Sequence, residues 1–225
     1  MNKLLITLII MKINSVLLLL LLVVVVGINT NRNLVLAAIK PAPPNPTLID
    51  VNPSGNEGDY YIGAIPPNFN PDQPVLLFVQ GLTGNATEWW ERARYSDNDM
   101  YQCAYNAGYR TAFVNFRDAD KNPGDMWRNG SVLSKQLESI CKHFNVAKVN
   151  LICHSKGGID SQAAIVYYGA SQYVARVFTL STPHWGSPLA DLAYSPWVSW
   201  LTALIGMRSD GTYSLQTGYM SYFRS

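Results

Sequence analysis

Ser155 stands in the run Val149-Asn-Leu-Ile-Cys-His-Ser-Lys-Gly-Gly158, where a short apolar strand passes through one serine into two glycines that open a helix. A run of this shape holds the serine on a sharp strand-to-helix turn. The backbone there is strained, and it lifts the hydroxyl clear of both elements, which is the placement a nucleophile needs. Gly157 and Cys153 lie two residues to either side, where strand and helix close on each other and bulky side chains would clash. The pattern is G-x-S-x-G with cysteine in place of the first glycine, and cysteine is compact and apolar enough for that position. Taken alone, the same run could serve as a plain strand-to-helix turn, so the flanking elements have to decide.

Those elements read as alternating strands and helices. Thr47 to Val51 and Tyr60 to Ile65 are predicted strands divided by the turn Pro53-Ser54-Gly55. Val75 to Val79 is apolar without alternation, as expected of a strand buried on both faces of a parallel sheet. It runs into Gln80-Gly81-Leu82-Thr83-Gly84, after which Asn85 and Glu88 are spaced to cap a helix reaching about Ala107. Thr111 to Phe116 is a further buried strand. Ser131 is placed to cap a helix whose Leu133, Leu137, Ile140, Cys141 and Phe144 recur at helical spacing. The Ser155 strand follows, then its helix to about Tyr168 and a strand from Val174 to Leu180. This alternation predicts an α/β fold, a mostly parallel sheet with helices on both faces.

Two further segments carry a resemblance. Phe78-Val-Gln-Gly-Leu-Thr-Gly84 and Leu180-Ser-Thr-Pro-His-Trp-Gly-Ser-Pro-Leu-Ala-Asp191, in order with the serine run, resemble the corresponding segments of secreted bacterial lipases and esterases of the α/β-hydrolase superfamily. The resemblance implies a serine hydrolase that cleaves carboxylic esters of lipids without a cofactor, working at a lipid-water interface. It makes Ser155 the nucleophile and the backbone amides of Leu82 and Lys156 the oxyanion hole. Such donors stabilise the charge that develops on the carbonyl oxygen by about 3 kcal/mol each. Gln80 stands where these lipases usually carry histidine. The triad order is serine, acid, histidine, yet only Asp160, Asp191, Asp210 and His184 follow Ser155. His184 and Asp191 fall inside the family segment at places that are not catalytic, and His154 and His143 read as structural. The expectation is a chain that is incomplete at its C-terminus, lacking the last strands, the acid and the histidine, and that hydrolyses esters very poorly as it stands. The alternative is a noncatalytic exported hydrolase fragment that binds apolar ligands.

The remaining stretches bound the setting. Lys3 and Lys12 precede the apolar run Val16 to Val26, with Ala37-Ala38 as a cleavage site, so residues 1–38 are predicted to be a signal peptide and the protein to be secreted. An uncleaved membrane anchor is the rival reading. Residues 39–225 form the hydrolase domain. They hold 14 basic and 15 acidic side chains, a net charge of −1 without Lys/Arg clusters, which offers nothing to nucleic acid. Trp197, Trp200, Leu201, Leu204 and Ile205 repeat at helical spacing, which predicts a helix over residues 193–207; the resemblance implies that it is a lid over the acyl pocket, with a core-packing helix as the alternative. Cys103, Cys141 and Cys153 are expected as buried free thiols, with a Cys103–Cys141 bridge as the alternative. No cysteine or histidine spacing suggests a metal site.

Overall fold

The computed structural model describes residues 42–49, 59–93, 96–116, 123–196 and 208–225. In chain order these form β1 (Thr47–Ile49), β2 (Tyr60–Ile62), β3 (Leu76–Val79), a 3-10 turn (Ala86–Trp89), β4 (Arg92–Ala93), β5 (Ser96–Asp97), α1 (Met100–Asn106), β6 (Thr111–Val114), α2 (Met126–Phe144), β7 (Val149–His154), α3 (Lys156–Tyr167), a second 3-10 turn (Ala170–Tyr173), β8 (Val174–Leu180), α4 (Pro188–Ala193), α5 (Asp210–Tyr213) and α6 (Thr217–Phe223). The expected signal peptide at 1–38 and most of the candidate lid helix, 197–207, lie outside the described residues.

A six-stranded sheet in the order β1-β2-β6-β3-β7-β8 organises the chain. Strands β6, β3, β7 and β8 run parallel, and β1 and β2 are added antiparallel beyond β6. The central strands lack alternation because each face has a cover. Leu77, Val79, Ala112, Val114, Leu151 and Cys153 share one cluster with Leu133, Leu137 and Ile140 of α2 and Ala164 of α3. The intervening Phe78 and Phe113 turn to the other face, against Trp89, Tyr101 and Ala104. In-register pairing of Phe78 with Phe113 across β3 and β6 stacks the two rings at 5.0 Å. The sheet buries apolar side chains on both faces, as the sequence predicted.

Three local expectations are corrected. The helix anticipated from Asn85 to Ala107 is instead a 3-10 turn, the short hairpin β4–β5 and the seven-residue α1. Asp97-Asn98-Asp99 is rich in turn-forming side chains, and the Asn98 carboxamide oxygen accepts the Met100 amide at 3.1 Å, diverting the backbone from a continuous helix. Helix α2 begins before Ser131. Asp125 is its cap, accepting the Arg128 amide at 2.8 Å, and Asn129-Gly130-Ser131 is helical despite low propensity because it packs against α3. Finally, Cys103 is exposed, whereas Cys141 and Cys153 are buried, and all three thiols are free. Cys103 lies on the solvent side of α1, with Tyr101 and Ala104 taking the core side.

Candidate active site

The sheet reverses its winding at the middle. From β3 the chain moves to β6 on one side, then crosses back to β7 and β8 on the other. The carboxyl ends of β3 and β7 therefore flank a topological switch point, where open α/β sheets leave a crevice for ligands. Ser155 follows β7 and the Gln80–Gly84 loop follows β3.

Ser155 adopts φ 50° and ψ −125°, a conformation that costs a non-glycine residue roughly 1–3 kcal/mol and survives only where its surroundings enforce it. Those surroundings are identifiable. The Ser155 amide donates to the Leu180 carbonyl at the end of β8, 2.8 Å away. Gly157 leaves room for the end of β3, since a Cβ there would sit 2.9 Å from the Val79 carbonyl oxygen. At the other flank, the Cys153 sulfur rests 3.2 Å from the Ser161 hydroxyl, which itself donates to the Gly157 carbonyl at 2.7 Å. Ser155 is half-buried.

The loop after β3 comes directly against this turn. A Cβ on Gly81 would lie 3.1 Å from the Ser155 Cβ and 2.9 Å from the His154 Nδ1. Glycine allows that approach without displacing either neighbour. The loop is itself braced. The Gly84 amide donates to the Gly81 carbonyl at 3.2 Å, with Thr83 in the left-handed region at φ 59°. Gln80 is fully buried, and its Nε2 donates to the Gly84 carbonyl at 2.5 Å. Gln80 thus ties the two ends of the loop together. Asn85 caps the following turn by accepting the Thr87 amide at 2.9 Å. Partial desolvation pushes the Glu88 carboxyl up, opposed by the charge of His154 and by a hydrogen bond from the Asn85 backbone. The loop bearing the Leu82 amide and the turn bearing the Lys156 amide therefore meet at Ser155. As the first residue of α3, Lys156 has no helical carbonyl behind it to engage its N–H.

The other singled-out side chains are engaged elsewhere. Asp191 accepts both the Thr217 amide and its hydroxyl, each at 2.9 Å, and so fastens α6 to α4. His184 places Nδ1 3.3 Å from the Gln162 Oε1, and its carbonyl accepts from Arg224 at 2.6 Å. Asp160 is bound to Lys156. His143 is exposed at the end of α2, and His154 is exposed beside Gly81. Among the described residues, which include all three histidines, none hydrogen-bonds the Ser155 hydroxyl. An apolar cavity of about 220 Å³ opens beside the loop, lined by Leu82, Thr83, Leu189, Ala190, Thr212 and Leu215 among others. No group of three His, Cys, Asp or Glu among the described residues is arranged to hold a metal ion.

The α/β-hydrolase fold family matches residues 74–212, a span that contains β3, the Gln80–Gly84 loop, the Ser155 turn and β8. The chain belongs to the α/β-hydrolase fold family. Within it, the chain is 32% identical over 123 residues to a triacylglycerol lipase of Pseudarthrobacter phenanthrenivorans, an alignment covering 52% of this chain and 35% of that one. A triacylglycerol lipase of Burkholderia plantarii is likewise 32% identical over 123 residues, covering 52% and 31%. The chain thus spans about a third of the length of these curated relatives. Among solved α/β-hydrolases, the Bacillus licheniformis lipase BlEst2 in its mature form is 43% identical with a TM-score of 0.65, covering 76% of this chain and 65% of that one. Its propeptide form aligns at the same identity with a TM-score of 0.68 and 36% coverage.

Two features of this α/β-hydrolase site were not anticipated from the sequence. Gln80 braces the loop, and the Lys156 side chain is buried against Asp160. The spacing of Lys156 and Asp160, four apart at a helix start, could have flagged the second.

Proposed function

We propose that this chain is the core of an exported serine hydrolase of the lipase and esterase type, cleaving carboxylic esters of lipids through an acyl-enzyme on Ser155. The observation that carries the reading is the strained Ser155 backbone with the Gly81–Leu82 loop pressed against it. The kinship with BlEst2 and with two triacylglycerol lipases supports the substrate class.

In this reading the Ser155 Oγ attacks the ester carbonyl carbon and the carbonyl oxygen becomes an oxyanion, which the amides of Leu82 and Lys156 receive. Collapse breaks the bond to the alkoxy oxygen, which takes up the proton given up by Ser155 and leaves as the alcohol; water then attacks the acyl-serine, releases the acid and returns a proton to Ser155. The acyl chain lies in the apolar cavity beside Leu82. Trp185, Leu189, Leu192 and Tyr213, exposed on and beside the elements around that cavity, face a lipid-water interface. The serine needs a base to take its proton, and no described residue hydrogen-bonds its hydroxyl. That specific observation also favours a second reading, a noncatalytic member of the fold that holds an apolar ligand in the cavity.

One experiment separates the two. The secreted protein, with an intact mass matching a start near residue 39, is assayed on nitrophenyl esters beside its Ser155→Ala variant and treated with a fluorophosphonate probe. Hydrolysis and labelling that both vanish in Ser155→Ala are expected. Undiminished hydrolysis in that variant, or binding of apolar ligands with no Ser155-dependent turnover, would overturn the catalytic assignment.

A further inference from the structure

Lys156 is out of place by every local rule for a helix. It is the first residue of α3, where the positive end of the helix macrodipole disfavours a cation. It precedes its partner Asp160 by four residues, the reverse of the order that helices favour. The side chain is also completely buried, and taking an ammonium and a carboxylate out of water is costly unless the geometry is close and the remaining lone pairs are used. Rules broken together at one position mark a place where function outweighs stability.

The geometry is close. The Lys156 Nζ donates to the Asp160 Oδ1 at 2.6 Å, and the Asp160 Oδ2 accepts from the Asn129 Nδ2 at 3.1 Å. Asn129 is buried on α2, so the ammonium is anchored through Asp160 to a neighbouring helix. The anchor is short because α2 and α3 approach each other closely. A Cβ on Gly130 would lie 2.8 Å from the Ala163 Cβ and 3.0 Å from the Ala164 nitrogen. On the opposite side, Gly157 is pressed against the carbonyls that end β3. The peptide joining Ser155 to Lys156 is thus held between the sheet and a side chain that cannot rotate without dragging a charge from its partner.

We infer that Lys156, Asp160 and Asn129 form a positioning device that fixes the peptide between Ser155 and Lys156, keeping the Lys156 N–H aimed at the developing oxyanion. The inference rests on the reading of Ser155 as nucleophile. No atom of the three side chains touches the ester. They act through the backbone of residue 156, and they keep Ser155 in a conformation it would otherwise leave.

The test uses the full-length protein carrying Lys156→Met together with Asp160→Leu, which keeps the backbone amide and replaces a buried ion pair by apolar groups of similar volume, an exchange proteins commonly tolerate. On a nitrophenyl butyrate series, kcat is expected to fall about 10- to 100-fold with KM nearly unchanged, because a donor displaced by a fraction of an ångström loses much of its effect. Affinity for an alkyl boronic acid, which mimics the tetrahedral state, falls by the same factor. Melting of the variant, followed by circular dichroism, checks that it is folded. Asn129→Ala, which keeps the pair and removes its anchor on α2, gives a second reading and is expected to lower kcat severalfold, again without a change in KM. Wild-type kcat and boronate affinity in either folded variant would overturn the inference. Failure of Ser155→Ala to abolish turnover would instead overturn the reading beneath it, whatever the pair variants do.

Discussion

Cys153 occupies the position where G-x-S-x-G has its first glycine, and its surroundings show how a thiol fits there. The Ser161 hydroxyl is committed as donor to the Gly157 carbonyl, so the 3.2 Å contact between sulfur and hydroxyl uses the thiol proton. Burial pushes the Cys153 thiol up to about 12, and burial raises Cys141 as well. Cys103 is exposed, with partial desolvation and the nearby Asp99 carboxylate raising it. Since only the thiolate attacks alkylating reagents, a raised pKa means a smaller reactive fraction at any pH below it. Iodoacetamide on the folded protein at pH 8 is therefore expected to modify Cys103 alone, faster as pH rises, and all three thiols in denaturant, as read by mass spectrometry of peptides. Rapid labelling of Cys153 in the folded protein would contradict its burial. At this scale Ser155 stands out in the sequence because strand, serine and glycine lie within ten residues of one another, whereas Leu82 and Lys156 are singled out only through the family resemblance. The bracing by Gln80 was not legible, since it depends on how the loop folds back on itself. The partnership of Asp160 with Asn129, 31 residues apart, requires knowing that α2 and α3 lie side by side.

Elements were readable where one force dominated. Strands β3, β6 and β7 are apolar runs of high β propensity, and their burial on both faces follows from that. Between Asn85 and Ala107 the cap signal of Asn85 and Glu88 starts only a 3-10 turn, because the β4–β5 hairpin and the local hydrogen bonding of Asn98 interrupt the backbone beyond it. The start of α2 was missed because tertiary packing overrides propensity at Asn129 and Gly130. Glycine at position 157 is the element-scale requirement that can be tested most directly. It lies where α3 meets the end of β3, and an added methyl would meet the Val79 carbonyl oxygen at 2.9 Å and the Gln80 carbonyl carbon at 3.1 Å. Both neighbours are backbone, so neither can swing aside as a side chain would. Gly157→Ala is expected to cost about 1–3 kcal/mol in urea unfolding. It should also lower fluorophosphonate labelling of Ser155, because the β3 loop has to retreat from the serine. Unchanged stability and labelling would show that the approach of α3 to β3 is looser than the geometry requires.

At the scale of the whole molecule, the position of β8 sets the strongest constraint. It pairs with β7 at six positions, with a register shift after the first, and among the described residues it forms one edge of the sheet. The run Val174 to Leu180 has the composition of a strand covered on both faces, yet Val177, Phe178 and Leu180 are 39%, 48% and 40% exposed. Among the described residues no strand pairs with the outer side of β8, and an edge strand with apolar side chains open to solvent is a template for a further strand. A net charge of −1 over residues 39–225 gives little electrostatic repulsion to oppose association. The chain of residues 39–225 is accordingly expected to associate in a concentration-dependent way through β8, measured by sedimentation velocity across the micromolar range. Phe178→Lys places a charge on the exposed side chain of that edge, where natural sheets often carry lysine to block pairing. It should shift the chain toward monomer while leaving Tm nearly unchanged, because exposed substitutions away from packed features typically change stability by less than about 0.5 kcal/mol. A wild-type chain that stays monomeric throughout, or a variant that associates as strongly as its parent, would mean that the β8 edge does not drive association.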